Sequence, residues 1–163
     1  MLITTPSGWP YNAFTPWHLY KSTAHEYIHA RQSSISGATL TRDPWPNWLT
    51  EGMAEYLAYE IVIDAEIMTR AQVRTFNLAQ RLQDAPALQN CETHRGMGQQ
   101  CNYGLLTLSV SYLVQATGPN ALLAYTKASG TGIAWTTAFQ NSFGISASDY
   151  YSRFAVYRAN NFN

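Results

Sequence analysis

Prolines and glycines divide this chain into segments of helical length, and the spacing of these helix-breaking residues constrains the fold more than any other feature of the sequence. Examples are Gly37, Pro86 and the pair Gly118–Pro119, each of which stops a helix or begins one. Between such signals, apolar residues recur three or four positions apart instead of alternating, which favours helices over strands. The predicted helices are, in order, 22–35, 48–68 with Asn47 as its cap, about 66–83, 103–117, 119–128, 132–142 and 147–160.

Length and composition indicate one folded domain over residues 1–163. Apolar residues make up 46% of the chain and charged residues 12%, a balance too rich in core formers for disorder. Residues 1–20 contain three prolines among aromatic residues, so we expect an irregular or strand-containing entry segment there. The predicted fold class is mainly α.

Charge and hydropathy exclude several classes of protein. The chain has 10 basic and 10 acidic residues and a formal charge of zero, so it has no basic excess to bind the phosphates of a nucleic acid. The longest mostly apolar stretch, 104–114, is far shorter than the roughly 20 residues that span a bilayer. The first residues contain neither a basic region nor a continuous apolar run, so we expect no signal peptide in the sequence as it stands.

The first predicted helix carries the pattern His25-Glu26-Tyr27-Ile28-His29. Residues four apart lie about 40° apart around a helix and about 6 Å along it, so both imidazoles face one point and can share a metal ion. Glu26 lies beside that point, where its carboxylate can accept a proton from an activated water. With the His and Glu content of this chain, chance would produce the pattern only about 0.004 times. The alternative is a half-buried pair of histidines next to an ordinary solvated glutamate.

A catalytic zinc site needs a third protein ligand and an open position for water. The second predicted helix contains carboxylates that could serve as the third ligand. Its segment W-L-T-E-G-M-A-E-Y, residues 48–56, has Glu51 and Glu55 four apart on one helical face. The 21 residues between His29 and Glu51 are enough for a helix end, a proline-rich turn and an antiparallel return.

An H-E-x-x-H motif followed by W-L-x-E-G-x-A-E-Y resembles the gluzincin metallopeptidases, including the aminopeptidase and clostridial collagenase branches, and in particular the small peptidase-MA-like group. The resemblance implies a compact zincin-like catalytic domain with an active-site helix and a glutamate helix. It implies that His25, His29 and Glu51 bind Zn²⁺. It also implies that Glu55 binds no metal and instead orients a ligand imidazole through its other ring nitrogen. The alternative for each of these carboxylates is a solvated charge on the helix surface.

The resemblance further implies a sheet before the motif, whose edge strand binds extended peptide. Only 24 residues precede His25, so we expect at most one or two of those strands in this chain. A G-x-M-E-N segment, which would bind a free amino terminus, does not occur in the sequence. Because that segment is missing, we expect an endopeptidase and not an aminopeptidase.

The segment Tyr103-Gly104-Leu105-Leu106, with Tyr103 ten residues before Leu113, is similar to a helix in these families that begins with a catalytic tyrosine. The resemblance implies that Tyr103 donates a hydrogen bond to the oxyanion of a tetrahedral intermediate. The alternative is a packing role for Tyr103, one of 11 tyrosines in the chain, with Tyr112 and Tyr125 as the next candidates.

Cys91 and Cys101 bracket a short loop and are close enough in sequence for a disulfide, which the chain-entropy model values at about 3 kcal/mol. A bridge would favour an oxidising compartment, so we expect a secreted or extracytoplasmic location. Two alternatives stay open: a pair of reduced thiols, and a second metal site formed by Cys91 with His94. His18 and His94 are single histidines without a partner in sequence, and we expect surface or packing roles for both.

These residues together predict a zinc metallopeptidase acting on peptide or protein substrates, with Glu26 and Tyr103 as its catalytic groups. Two other functions stay open. One is a zinc hydrolase of a non-peptide acyl substrate, and the other is a non-catalytic zinc-binding or partner module. The intact Glu26 argues against the module, because a purely structural metal site needs no general base.

Overall fold

The computed structural model of the chain describes residues 16–37, 45–78, 82, 85–93 and 101–162. These residues form seven α-helices and no strand, so the prediction of a mainly α fold is confirmed. The helices are α1 (Pro16–Ser36), α2 (Asn47–Asp64), α3 (Arg70–Leu78), α4 (Tyr103–Thr117), α5 (Asn120–Ser129), α6 (Trp135–Phe143) and α7 (Ala147–Phe162), with a 3₁₀ turn at Leu88–Cys91. Within the described ranges, none of the helices combines the length and the apolar character that crossing a bilayer requires.

α1 begins at Pro16, six residues before its predicted start. Proline is tolerated at the first position of a helix because its missing N–H would have no intrahelical partner there and its φ is already helical. The added turns bring Trp17 edge-on to Phe76 of α3, with ring centroids 5.2 Å apart. The prediction of an irregular or strand-containing segment is therefore wrong for residues 16–20. Residues 1–15, where the one or two expected upstream strands would have to lie, are outside the described ranges.

The boundary between α2 and α3 also differs from the prediction. Glu66, predicted to begin the third helix, has a positive φ of 57° and lies in the turn after α2. α3 begins at Arg70 because Thr69 and Gln72 form a capping box. Thr69 Oγ1 accepts a hydrogen bond from the Gln72 amide at 3.2 Å, and Gln72 Oε1 accepts one from the Thr69 amide at 2.8 Å. Of the residues predicted to continue this helix, 79–81 and 83 lie outside the described ranges.

The last four helices lie close to their predicted positions. α4 begins as predicted at Tyr103, where Asn102 Oδ1 accepts a hydrogen bond from the Leu105 amide at 2.9 Å. α6 begins at Trp135, three residues after the predicted start, and ends at Phe143, after which Gly144 caps the helix with a φ of 69°. The Ser146 hydroxyl accepts a hydrogen bond from the amide of the third residue of α7 at 3.1 Å and so caps that helix.

Cys91 and Cys101 form a disulfide, with their Cα atoms 5.8 Å apart. Both residues are buried in the main core. The bond joins the end of the 3₁₀ turn to the residue two positions before α4, so it restrains where α4 begins. The predicted bridge is confirmed in the structure. A bridged Cys91 has no thiolate for a metal, which removes the alternative of a site with His94, a residue outside the described ranges.

α2 lies at the centre of the fold, with α1 on one side and α4 on another. Its buried residues occur all round the helix, as expected for a central helix and not for a surface one. Trp48 and Met53 belong to the main core, which residues of α4–α7 complete. Tyr59 and Val62 belong to a second, smaller cluster with Val73 of α3.

Gly52 allows α2 and α4 to approach each other closely. A Cβ atom at this position would lie 2.7 Å from the carbonyl oxygen of Leu106 and 2.9 Å from Cγ2 of Val110. The first of these contacts is with helical backbone, which cannot rotate away as the end of a side chain can. The glycine that follows Glu51 is therefore required for helix packing.

We expect Gly52→Ala to destabilise the protein by about 1–3 kcal/mol, because the added methyl group forces α2 and α4 apart. Alanine is otherwise the better helix former by roughly 0.5–1 kcal/mol, so helix propensity alone would raise the free energy of unfolding. A decrease in that free energy would therefore indicate the clash. Urea denaturation measures the free energy of unfolding. The control is Ala116→Gly on the exposed surface of α4, which should lose only the difference in helix propensity. A Gly52→Ala variant as stable as the wild type would contradict the close approach.

Candidate metal centre

His25, His29 and Glu51 converge on one point between α1 and α2. The Nε2 atoms of the two imidazoles are 2.9 Å apart. Glu51 Oε2 lies 3.4 Å from Nε2 of His25 and 3.5 Å from Nε2 of His29. The two histidines are one helical turn apart on α1, and Glu51 is in the first turns of the facing helix. The structure thus brings together the three residues predicted as metal ligands.

The face of α1 that packs against α2 is polar. Its residues are spaced four, four and three positions apart and form one stripe along the helix: Lys21, His25, His29 and Gln32. Buried polar side chains need hydrogen-bond partners, and α2 supplies several of them. Hydrogen bonds therefore determine how the polar side chains of the two helices are arranged.

Glu55 holds His25 at the ring nitrogen that faces away from the convergence point. Its Oε2 atom accepts a hydrogen bond from Nδ1 of His25 at 2.9 Å, and its Oε1 atom accepts one from Nζ of Lys21 at 2.6 Å. The side chain is only 1% exposed. Burial disfavours the charged carboxylate, but His25 and Lys21 hold the pKa of Glu55 below its usual value. An ionised carboxylate only accepts hydrogen bonds, so Nδ1 of His25 carries a proton.

His29 has a different partner at the same ring position. Its Nδ1 atom donates to Oε1 of Gln32 at 2.9 Å, and Nε2 of Gln32 donates to the carbonyl oxygen of Thr50 at 3.1 Å. Each imidazole is therefore fixed through Nδ1 and directs Nε2 toward the shared point.

This arrangement leaves three hydrogen-bond acceptors facing one another. Both Nε2 atoms present lone pairs to the shared point, and so does the carboxylate of Glu51. Acceptors at these distances repel unless a positive charge lies between them. A proton can supply it: burial opposes the charge, but hydrogen bonds to Glu51 and Glu55 and their negative charges raise the pKa of His25 to about 9. Burial likewise opposes ionisation of Glu51, but in the protonated site the hydrogen bonds and positive charge of His25 and His29 overcome it and lower the pKa of Glu51 to about 2.

A divalent metal ion satisfies all three acceptors at once, and the donor set suits Zn²⁺. Two imidazole nitrogens and one carboxylate oxygen are ligands of catalytic zinc sites, which keep a fourth position open. Ligand atoms at about 2.0–2.2 Å from a tetrahedral ion lie roughly 3.3–3.6 Å from one another. The separations here, 2.9, 3.4 and 3.5 Å, are near that range.

Of the two predicted catalytic residues, Glu26 adjoins His25 in sequence and Tyr103 contacts the His25 ring. Glu26 follows His25 on α1, and its side chain is exposed to solvent. Tyr103, the first residue of α4, packs edge-on against the His25 ring, with centroids 5.5 Å apart. Burial raises the pKa of Tyr103, and the negative charges of Glu51, Glu55 and Glu26 raise it further. The phenol therefore stays protonated and can donate a hydrogen bond.

The other two tyrosines considered for this role lie in the aromatic core. Tyr112 stacks on Tyr157 of α7, with ring centroids 4.4 Å apart. Tyr125 is fully buried and packs against Phe143 of α6. Of these three tyrosines, Tyr103 is the one whose ring contacts a predicted ligand.

His18 lies outside the convergence point. Its ring stacks on Trp17, with centroids 3.6 Å apart, and contacts Phe76 edge-on. Burial and the nearby Lys21 charge lower the pKa of His18. These contacts agree with its predicted packing role.

Sequence reasoning missed two residues of this site, Lys21 and Gln32. A signal was present, because Lys21 precedes His25 by four positions and Gln32 follows His29 by three, so both extend the ligand stripe along α1. That spacing places them on the right face. Their hydrogen bonds depend on where α2 lies, which the spacing does not contain.

A scan against protein-family models, a search of curated proteins and a search of solved structures found no match to this chain. The interpretation of the site therefore depends on its residues and their geometry.

We expect the two carboxylates of α2 to differ in their effect on zinc binding. Glu51→Ala removes a ligand atom and should abolish tight binding. Glu55→Ala removes only the acceptor at Nδ1 of His25 and should weaken binding about 10- to 100-fold. Metal content after dialysis and a chelator-competition titration measure the two effects.

The matched control is Glu60→Ala, on the same helix, because Glu60 pairs with Arg70 at the surface and should not affect zinc. The reverse order, with zinc lost in Glu55→Ala and kept in Glu51→Ala, would place the ligand one helical turn further along α2.

Proposed function

We propose that this protein is a zinc-dependent metallopeptidase of gluzincin type that hydrolyses internal bonds of peptides or proteins. The observation that carries the proposal is the convergence of the His25, His29 and Glu51 ligand atoms between two helices. Glu26, the residue that follows His25 on α1, supplies an additional carboxylate. Three protein ligands leave a position open on the ion, as in catalytic sites. A closed structural site would have no use for the additional carboxylate.

The metal ion and the residues around it would each supply a different part of the hydrolysis. A Zn²⁺ ion bound here would polarise a substrate carbonyl and lower the pKa of water from about 15.7 toward about 7. Glu26 accepts the proton of the attacking water and delivers it to the leaving amine. Neither of the other carboxylates competes for that proton, because Glu51 is a ligand and both oxygens of Glu55 accept hydrogen bonds from Lys21 and His25.

Tyr103 is the donor that we assign to the oxyanion formed when water attacks. Its ring is held edge-on against His25 and lies 5.5 Å from the Lys21 ammonium, a cation–π distance. The disulfide at Cys101 restrains the chain two residues earlier. A donor fixed in this way stabilises the developing negative charge without reorganising during the reaction.

The proposal includes a location and a substrate class. The buried Cys91–Cys101 bridge supports an oxidising compartment, and hence a secreted or extracytoplasmic protein. An endopeptidase is favoured because the sequence has no segment of the kind that binds a free amino terminus. Assays of an unstructured protein and a fluorogenic peptide library, beside small esters and amides, distinguish peptide hydrolysis from hydrolysis of other acyl substrates.

We expect the purified chain with one equivalent of zinc to cleave an unstructured protein and to stop when a chelator is added. Glu26→Gln should abolish turnover and leave zinc content near one per chain, because Glu26 transfers protons and does not bind the metal. Glu66→Gln, an exposed glutamate beyond α2, is the control and should retain full activity.

Loss of zinc in Glu26→Gln would show that this residue is a ligand. A wild-type chain that binds zinc and hydrolyses neither peptides nor esters would contradict the proposed activity. The non-catalytic zinc-binding module would then be the remaining function.

We expect Tyr103→Phe to lower kcat about 10²- to 10³-fold, a loss of about 2.7–4 kcal/mol in the transition state. Zinc content and unfolding free energy should stay unchanged, because the ring and its contacts are kept. Tyr20→Phe, on the exposed face of α1, is the matched control. Wild-type turnover in Tyr103→Phe would show that Tyr103 has only a packing role.

A further inference from the structure

Gln32 is a buried amide whose two hydrogen bonds connect α1 to α2 at the metal centre. It lies three residues after His29, and it is 3% exposed. Its Oε1 atom is 2.9 Å from Nδ1 of His29, and its Nε2 atom is 3.1 Å from the carbonyl oxygen of Thr50. Because Thr50 precedes Glu51 directly, the amide links one predicted ligand to the backbone beside another.

The carbonyl group of Thr50 determines which way the Gln32 amide points. A carbonyl oxygen only accepts hydrogen bonds, so the NH₂ group of Gln32 must face it. The amide oxygen, which also only accepts, is then left against the His29 ring. Nδ1 of His29 must therefore be the protonated nitrogen, and the neutral ring has its lone pair on Nε2.

We propose that Gln32 is a positioning residue of the metal centre, which selects the Nδ1–H form of His29 and holds the ring so that Nε2 faces the ion. The inference rests on the metal site of the proposed function and not on its hydrolytic activity. In the other tautomer Nε2 would carry a hydrogen atom and could not bind a metal. Glu55 performs the same task for His25.

An amide is suited to this position in a way that a carboxylate is not. One neighbour, the Thr50 carbonyl, needs a donor, and the other, the His29 N–H, needs an acceptor. Glutamine supplies both from one side chain, whereas an ionised glutamate would supply only acceptors. The difference provides a way to separate the two hydrogen bonds by mutation.

Two variants distinguish positioning of His29 from simple attachment of α1 to α2. Gln32→Met removes both hydrogen bonds at similar volume. Gln32→Glu keeps an acceptor for His29 and loses the donor to Thr50. The matched control is Gln115→Met on α4, where the glutamine is exposed and far along the chain from the site.

We expect Gln32→Met to weaken zinc binding about 10- to 100-fold and Gln32→Glu to remain within a few-fold of the wild type, as measured by chelator competition. Long-range ¹H–¹⁵N NMR spectra of the zinc-free protein at pH 10 report the tautomer. They should show His29 protonated at Nδ1 in the wild type and in Gln32→Glu, and at Nε2 for much of the population in Gln32→Met. Gln115→Met should change neither measurement.

Equal losses of zinc affinity in Gln32→Met and Gln32→Glu would assign Gln32 to helix attachment and overturn the proposal. A wild-type His29 ring protonated at Nε2 would overturn it as well, and this test needs no variant to fold. A wild type that binds no zinc would overturn both the metal centre and the positioning role. A wild type that binds zinc without hydrolysing peptides would contradict only the peptidase, since both readouts are independent of turnover.

Discussion

The packing of α2 between α1 and α4 is the constraint on which the candidate site depends. Successive residues of a helix point about 100° apart, so neighbours in sequence can contact different helices. Glu51 faces the histidines of α1, and Gly52 lies against the backbone of Leu106 in α4. A larger residue at position 52 would push α2 away from α4 and change the place of Glu51 relative to both imidazoles. The Glu-Gly pair therefore has two coupled roles, one in the site and one in the core.

The attachment of α1 shows how a polar helix face can be held in a defined position. Buried ion pairs and hydrogen bonds contribute little net stability, because desolvation offsets most of their gain. Close packing occurs at the two ends of the helix instead. Trp17 contacts Phe76 near the start of α1, and near its end Gly130 lies so close to the backbone of Ser36 that a Cβ atom at Gly130 would clash with it. The polar middle of α1 is thus fixed from both sides, which favours precise placement of ligands.

Much of the fold could be predicted because its signals are local. Helix stops such as Gly118 depend on residues within one turn, and α4–α7 were predicted close to their observed bounds from signals of this kind. The caps that Asn102 and Ser146 form in the structure are equally local. The capping box at Thr69 was also local and was overlooked, which moved the predicted start of α3. The start of α1 could not be found in this way, because the packing partner of Trp17 is about sixty residues away in sequence.

The residues of the candidate site also differ in whether their signals are local in sequence. Pairs four apart on one helix, such as His25 and His29, were visible in the sequence, since helical geometry alone places them together. The partners of Lys21 and Gln32 were not visible, because they lie on α2, and their contacts depend on the distance and rotation between two helices. Spacing along one helix therefore predicts which side chains share a face, and only packing determines which atoms they meet.

The partners of the two imidazoles also differ in charge, and the difference matters for the proposed chemistry. Glu51 and Glu55 contribute two negative charges at the centre and Lys21 one positive charge, so the group around neutral imidazoles carries a net charge of −1. A divalent ion would change this to +1, a charge that polarises a carbonyl group and favours loss of a proton from water. A second orienting carboxylate, in place of Gln32, would cancel that excess. The amide would orient His29 and satisfy Thr50 while leaving the positive charge of a metal-loaded centre intact.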